Sequence, residues 1–222
     1  MSIEHQFVSI PVLIVSIITS YILGAVPLAE YISRRNGVDI FSEGTGLAGA
    51  SNVLKSVGKL PALIVFIGDL GKGALAVIVG DLLGLDGSWL IIPVFSAVVG
   101  HWKSVFLRFR GGDGLATLAG AILALFPISG LISVMIACLV AFGGQRMPYS
   151  SLLGVVFGYG TLVSLILAFD ENAVLGLSIG GVAGLVLAYA LLGHRRRRNA
   201  SQSEWTNDAG TEGATEQQGY RP

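Results

Sequence analysis

Two glycine-rich segments combine the residue types that bind phosphate. Residues 42–55 read SEGTGLAGASNVLK, and residues 100–114 read GHWKSVFLRFRGGDG. Glycines let backbone N–H groups approach a ligand closely, and successive N–H groups that lead into a helix form a cradle for an anion. Lys55 in the first segment could add its charge to a bound phosphate. The pattern indicates a phosphate-binding function, and a flexible turn beside a membrane is the open alternative for the first segment.

The second segment carries three cations and a histidine beside its glycines. Arg108 and Arg110 alternate with apolar residues, and such a stretch could simply extend its cations to lipid headgroups. His101, by contrast, is predicted to lie within an apolar segment rather than at its end. A polar group at that depth indicates function, with a hydrogen-bonded structural histidine as the alternative.

Asp69 and Lys72 are the other charged residues inside an apolar run. Their i, i+3 spacing predicts that they share a helix face and neutralise each other, as a pair that orients the helix. The single cysteine, Cys138, lies in an apolar run and is predicted to be a small buried hydrophobe. One cysteine excludes a disulfide framework, and no metal site is predicted, because the three histidines are too far apart in the sequence: His5, His101 and His194.

The composition is that of a membrane protein. Of 222 residues, 53% are hydrophobic and only 13% are charged, with a mean hydropathy of +0.73. This excludes disorder and argues against a soluble domain. A spanning helix needs about 20 residues, and Pro127 divides the longest apolar run. We therefore predict an all-α, polytopic membrane protein with seven transmembrane helices, one of them short: 7–32, 60–83, 89–107, 115–125, 128–142, 151–169 and 173–192.

The distribution of Lys and Arg predicts the orientation. Basic residues occur in alternate loops and after the last span, so the positive-inside rule places the C-terminus in the cytoplasm and the N-terminus outside. No basic region precedes the first apolar run, so no cleaved signal peptide is expected. Residues 1–198 are predicted to form one membrane domain, and residues 199–222 a polar, disordered cytoplasmic tail. The orientation depends on Arg34, Arg35, Lys55, Lys59, Lys103, Arg108, Arg110, Arg146 and residues 195–198.

Five motifs, in order and spacing, resemble the bacterial acyl-phosphate:glycerol-3-phosphate acyltransferase family (the PlsY type). The resemblance covers about residues 16–195. The motifs are SYILGAVP at 20–27 (SYLLGSIP in the family), GTGLAGASNV at 44–53 (GSGNIGATNV), DLGKGA at 69–74 (DxxKGA), residues 100–117 (GHxxPVFLKFKGGKGVAT), and the serine-leucine pair at 151–152.

The resemblance implies an enzyme of the plasma membrane that moves a fatty acyl group from acyl phosphate to glycerol 3-phosphate, on the cytoplasmic side. Acyl phosphate is already activated, so positioning and charge stabilisation suffice and no cofactor is required. The lipid bilayer is the expected partner, nucleic acid is not, and the oligomeric state is open. The implied catalytic residues are His101 and Ser151. The implied substrate- and phosphate-binding residues are Gly44, Thr45, Gly46, Gly49, Asn52, Lys55, Gly111, Gly112, Asp113, Gly114 and His194.

This chain departs from the family's motifs at several of these positions. Asp113 replaces the lysine of GGKG, which exchanges a cation for an anion beside a phosphate. Lys55 replaces an arginine, and Leu47 replaces an asparagine. Two alternatives therefore stay open: a related acyltransferase with a different acceptor, and a membrane protein that kept the fold without the catalysis.

Overall fold

A computed structural model describes residues 8–144 and 150–192, and every regular element in those ranges is helical. The predicted all-α class is confirmed for these residues. Two short 3-10 turns span Gly87–Leu90 and Val105–Leu107. The α-helices are α1 (Ile10–Ala25), α2 (Leu28–Arg35), α3 (Ala50–Ser56), α4 (Lys59–Leu82), α5 (Ile91–Trp102), α6 (Leu115–Leu125), α7 (Pro127–Gly143), α8 (Ser150–Ala168) and α9 (Ala173–Leu192).

The helices have the length and the surface of membrane spans. Three are long and apolar enough to cross a bilayer: Ile10–Arg35 taken across its break, Lys59–Leu82 and Ala173–Leu192. The remaining apolar helices are shorter. Large apolar side chains are exposed along these helices, for example on Leu60, Ile67 and Leu139. Helices satisfy their own backbone groups, as a bilayer requires, so the chain is a polytopic membrane protein.

Two of the predicted spans have different ends in the structure. The span predicted at 7–32 breaks at Val26-Pro27, because proline has no N–H for the helical ladder, and α2 follows the break. The span predicted at 89–107 was too long, since α5 ends at Trp102. The predicted division at Pro127 is confirmed, because Pro127 opens α7. Helix α3, within the first glycine-rich segment, was not predicted as an element.

Four glycines bring the backbones of two helix pairs together. A Cβ on Gly73 of α4 would collide with the Thr117 carbonyl of α6, and α1 and α5 meet in the same way, Gly24 lying against the backbone of Ala97. Gly120 and Gly100 make the reciprocal contacts of these two crossings. Small residues permit such approaches in membrane proteins. Both crossings lie next to residues singled out in the sequence, because Gly73 follows Lys72 and Gly100 precedes His101.

Two clusters of buried apolar side chains form the core of the protein. A cluster of buried apolar side chains joins α4, α5, α6, α8 and α9, and a smaller cluster under the first glycine-rich segment includes Ile40, Val53 and Val65. The described residues through Leu187 belong to one compact unit, and residues 188–192 belong to a second. The predicted domain boundary at residue 198 lies outside the described residues.

Candidate active site

The two glycine-rich segments contact each other directly. The Ala48 amide donates a hydrogen bond to the Gly111 carbonyl over 3.1 Å. The Arg110 guanidinium also lies over the ring of Phe41, the residue just before the first segment, 4.2 Å from its centroid. Such a contact adds attraction between a cation and an aromatic face. The two segments, which residues 56–99 separate in the chain, therefore form one surface.

The first segment is organised by the side chain of Asn52, which is buried. Its Nδ2 group lies within hydrogen-bonding distance of the carbonyls of Ile40, Glu43 and Leu47, at 3.0, 3.0 and 3.1 Å. Its Oδ1 accepts from the Thr45 amide over 3.3 Å. These contacts cover both kinds of hydrogen-bonding group that an amide side chain offers. Asn52 thus holds the segment's shape from within.

The segment also depends on backbone conformations that favour glycine. Gly44 and Gly46 have φ angles of +48° and +53°, a region that costs a residue with a Cβ about 1 kcal/mol or more. A Cβ on Gly44 would also collide with the Asn52 amide oxygen. Glycine at both positions therefore fits the backbone conformation that this segment adopts.

Three buried ionisable groups lie together beneath this surface. Lys72 Nζ is 2.6 Å from Asp69 Oδ1, so the ion pair predicted from the i, i+3 spacing is present. His101 Nδ1 is 3.5 Å from Lys72 Nζ and 3.8 Å from Asp69 Oδ1. The three residues are only 2–7% exposed. Opposite charges this close offset the cost of burial, and the histidine completes the cluster.

His101 lies at the end of a helix, whereas the sequence predicted that it lies within an apolar segment rather than at its end. It occupies the last turn of α5, one residue before the helix ends. It is nevertheless buried, because the second glycine-rich segment folds back over it. The Gly112 amide donates to the His101 carbonyl over 3.1 Å, and a Cβ on Gly112 would collide with the imidazole.

Three contacts join residues 21–26 to Lys72 and to the second segment, and the sequence did not predict them. Lys72 donates to the Val26 carbonyl over 2.8 Å, and this carbonyl is outside the regular ladder because the helix breaks at Pro27. The Ser104 hydroxyl donates to the Ala25 carbonyl, and the Tyr21 hydroxyl to the Lys103 carbonyl, each over 2.6 Å. The motif at 20–27 was the available signal, since a proline after an apolar run marks a helix break.

Asp113 has a local structural partner. Its Oδ1 accepts a hydrogen bond from the Leu115 amide over 3.1 Å, at the start of α6. The Trp102 indole donates to its backbone carbonyl over 2.6 Å, and Gly114 follows with a φ of +85°. A carboxylate at a helix N-terminus satisfies an otherwise unpaired amide and complements the helix dipole.

The remaining predicted site residues are dispersed. Lys55 lies in the last turn of α3 and is exposed, Gly49 immediately precedes α3, and Thr45 is half-buried. Ser151 is in the first turn of α8, but its side chain is outside what the structure describes, as is the whole of His194.

A narrow cleft runs between the helix break and the two segments. It is lined by backbone of residues 24–29 and by Ala48, Gly111 and Gly112, with Asp69, Lys72 and His101 at its base. Its free volume for water is about 10 Å³, about the room for one molecule. Asp113 is not among the residues that line it. This space is smaller than a phosphate group.

A larger cavity, of about 500 Å³, lies at the other end of α4 and α6. Its lining includes Asp81 and Glu171 and, among the described residues, no lysine or arginine. An anionic substrate would be repelled there. The narrower cleft, which has Lys72 at its base, is the better candidate for phosphate chemistry.

A family profile described as glycerol-3-phosphate acyltransferase matches residues 14–202. The chain belongs to the glycerol-3-phosphate acyltransferase family. The resemblance found in the sequence motifs is thereby confirmed.

Individual members of the glycerol-3-phosphate acyltransferase family are similar over most of the chain. Glycerol-3-phosphate acyltransferase 1 of Deinococcus radiodurans is 40% identical over 167 residues, which cover 74% of this chain and 84% of that protein. The glycerol-3-phosphate acyltransferase of Synechococcus elongatus is 42% identical over 174 residues, 72% of this chain and 80% of that one.

The fold is similar to two crystal structures of PlsY (YgiH), an integral membrane glycerol 3-phosphate acyltransferase. They are a glycerol 3-phosphate form, with a TM-score of 0.67, and a lysophosphatidic acid form, with a TM-score of 0.65. Both are 26% identical in sequence, and the match covers 86% of this chain and 92% of each.

Proposed function

We propose that this glycerol-3-phosphate acyltransferase takes its acyl group from an acyl phosphate and transfers it to glycerol 3-phosphate. The ester bond forms between the acyl carbonyl carbon and the C1 hydroxyl oxygen. The bond between that carbon and the phosphate oxygen breaks, and the hydroxyl proton leaves with inorganic phosphate. The products are 1-acylglycerol 3-phosphate and phosphate. Family membership supports the acceptor, and the motif resemblance supports the donor.

The observation that carries the proposal is the hydrogen bond between Ala48 and Gly111. It joins two glycine-rich segments above a buried lysine and histidine, next to the helix break at Pro27. The reaction needs two anionic substrates in one place, and mutual repulsion opposes this. Backbone groups and a buried cation that are fixed before the substrates arrive stabilise such charge without reorganising.

The predicted site residues take roles that their positions support. The glycines of both segments, namely Gly44, Gly46, Gly49, Gly111, Gly112 and Gly114, shape the backbone that faces phosphate. Thr45 and Lys55 contribute a hydroxyl and a mobile charge at the rim. Asn52 positions the first segment from within. His101 faces the bound substrate in the cleft. Ser151 and His194 stay predictions of the motif resemblance, because the side chain of Ser151 and the whole of His194 lie outside the described residues.

The choice of acceptor depends on Asp113, which replaces an expected lysine. Its carboxylate is hydrogen-bonded to the Leu115 amide and does not line the cleft. We infer that it serves α6 rather than the acceptor. This supports glycerol 3-phosphate over an acceptor that would need a carboxylate partner.

The proposed arrangement in the membrane has seven spans, with the site on the cytoplasmic side of the plasma membrane and the N-terminus outside. The distribution of Lys and Arg supports it. Helix α2 adds to this support, since Arg34 and Arg35 in its last turn lie on the same stretch of chain as the first segment. Residues 199–222 would then form a cytoplasmic tail.

The test uses purified full-length protein in lipid nanodiscs, with palmitoyl phosphate and radiolabelled glycerol 3-phosphate. We expect labelled lysophosphatidic acid and an equal amount of released phosphate. Parallel reactions with palmitoyl-CoA and with unphosphorylated glycerol test donor and acceptor separately, and we expect neither to give product. Product from palmitoyl-CoA alone would overturn the donor assignment, and no product above a heat-inactivated control with any donor would overturn the proposal.

A further inference from the structure

The ammonium group of Lys72 has three acceptors around it. It lies 2.6 Å from Asp69 Oδ1, 2.8 Å from the Val26 carbonyl oxygen and 3.5 Å from His101 Nδ1. A lysine ammonium has three hydrogens and no lone pair. Lys72 donates a hydrogen bond to the Val26 carbonyl, pairs with Asp69 by charge, and still has a hydrogen to present to His101 Nδ1.

This arrangement determines which nitrogen of His101 carries the proton. A ring nitrogen that faces an ammonium must present its lone pair, and a neutral imidazole has one acceptor and one N–H donor. Nδ1 is therefore the acceptor, and the proton is on Nε2. Asp69 does not compete for Nδ1, because their separation of 3.8 Å exceeds hydrogen-bonding distance and the same oxygen is held by Lys72.

The Nε2 side of the ring faces the second glycine-rich segment. A Cβ on Gly112 would collide with Nε2 and lie 3.1 Å from Cε1, and it would also lie 2.5 Å from the Ala48 carbonyl oxygen. Because residue 112 has no side chain, Nε2 is left beside the cleft that Gly111 and Gly112 line. An Nε2–H group here points toward the place where the two segments meet.

We propose that Lys72 is a positioning residue that fixes His101 in the Nε2–H form, so that His101 donates a hydrogen bond to an anionic oxygen of the bound substrate. Resting on the function proposed above, this assigns His101 the role of a donor and excludes it as the base that accepts the hydroxyl proton. The oxygen can belong to a phosphate or to the acyl carbonyl as charge develops there, since both take the same N–H donor.

The direct test is nitrogen NMR of the full-length protein with ¹⁵N-labelled histidine. The protonated and unprotonated nitrogens of a neutral imidazole give separate signals, and couplings to the ring hydrogens identify each nitrogen. His101→Gln assigns the signal by its disappearance. We expect Nδ1 unprotonated and Nε2 protonated in the unsubstituted protein. A proton on Nδ1 would overturn the inference.

Substitution of the lysine tests its part in the arrangement. In Lys72→Met, Nδ1 loses its donor and is left facing Asp69, so we expect the proton to move to Nδ1. Lys59→Met, the same change at an exposed position of α4, should leave the His101 signals unchanged. Unchanged signals in Lys72→Met would refute the positioning role. If that variant does not fold, Asp69→Asn combined with Lys72→Met leaves no unpaired buried charge and should show His101 without a fixed tautomer.

Activity separates the donor role from a base. A glutamine at position 101 retains an N–H donor, and alanine does not. We expect His101→Ala to lower kcat by about 100-fold or more, as removal of an oxyanion donor does, and His101→Gln to retain at least about tenfold more activity than alanine. Equal loss in the two variants would contradict a donor. Absent acyl transfer in the unsubstituted protein would refute the proposed function while leaving the tautomer result valid.

Discussion

Replacing Gly112 by alanine should separate the two glycine-rich segments and disable the site. Gly112 is buried between the imidazole of His101 and the Ala48 carbonyl. The ideal Cβ would lie 2.5 Å from the Ala48 oxygen, whereas a carbon and a carbonyl oxygen in contact are about 3.3 Å apart. The segments must therefore move apart by roughly 0.8 Å, or the histidine must turn away.

The expected loss of stability is the sum of one lost hydrogen bond and the strain of overpacking. The hydrogen bond between the Ala48 amide and the Gly111 carbonyl is 3.1 Å long, and an opening of this size takes it beyond about 3.5 Å, where it is lost. That loss costs about 1 kcal/mol, and the strain of overpacking adds about 1–3 kcal/mol. We expect a loss of about 2–4 kcal/mol in stability. Because a 1 Å misplacement in a site can cost about 100-fold, kcat/KM should fall by about that factor.

Two assays on purified protein in detergent check this expectation. Thermal unfolding followed by tryptophan fluorescence should show a midpoint lower by at least about 5 °C, and the acyl-transfer assay should show the loss of rate. Gly184→Ala is the matched control, since Gly184 is a helical glycine with nothing within 4 Å of an added Cβ. If Gly112→Ala and Gly184→Ala have the same midpoint and the same kcat/KM, the reasoning about the contact between the segments is wrong.

Three further substitutions test other parts of the account. Asp113→Asn keeps the oxygen that accepts from the Leu115 amide and should leave the thermal midpoint nearly unchanged, whereas Asp113→Ala should cost about 1 kcal/mol; equal midpoints would refute this role. Asn52→Ala removes the hydrogen bonds that shape the first segment. Titration of substrate should show a higher KM for glycerol 3-phosphate, and thermal unfolding should show a loss of stability of about 2–4 kcal/mol. An unchanged KM would contradict the role of Asn52. Gly73→Val places methyl groups against the Thr117 carbonyl of α6 and should prevent recovery of monodisperse protein by gel filtration. Gly71→Ala is the control, because its Cβ meets nothing within 4 Å, and this variant should elute as monodisperse protein.

The helices and one ion pair could be predicted from the sequence because they depend on local patterns. Long apolar runs and Pro127 determined the spans, apart from errors of a few residues at the ends. The i, i+3 spacing was enough to predict the pairing of Asp69 with Lys72, since residues three apart share a helix face. The family motifs identified both glycine-rich segments.

The completion of the site could not be predicted, because it depends on contacts between distant parts of the chain. His101 joins Lys72 only because α1 packs closely against α5, and α4 against α6, at glycines whose backbone contacts no spacing rule encodes. The Val26 carbonyl is available as an acceptor because the helix breaks one residue later. Asp113 was expected beside the phosphate, and its contact with Leu115 emerged only from the turn that leads into α6.

Cross-linking across the two segments tests the central claim, that they form one surface, most directly. With Cys138 replaced by serine, cysteines at Phe41 and Arg110 should be joined within one molecule by a short bifunctional maleimide in native membranes, as their contact requires. A pair of cysteines at Asp81 and Arg110 should not be joined. Asp81 lies near the C-terminal end of α4, whereas the first segment precedes the N-terminal end of that helix. Failure of the first pair to cross-link, while both of its cysteines react with a monofunctional maleimide, would contradict the account.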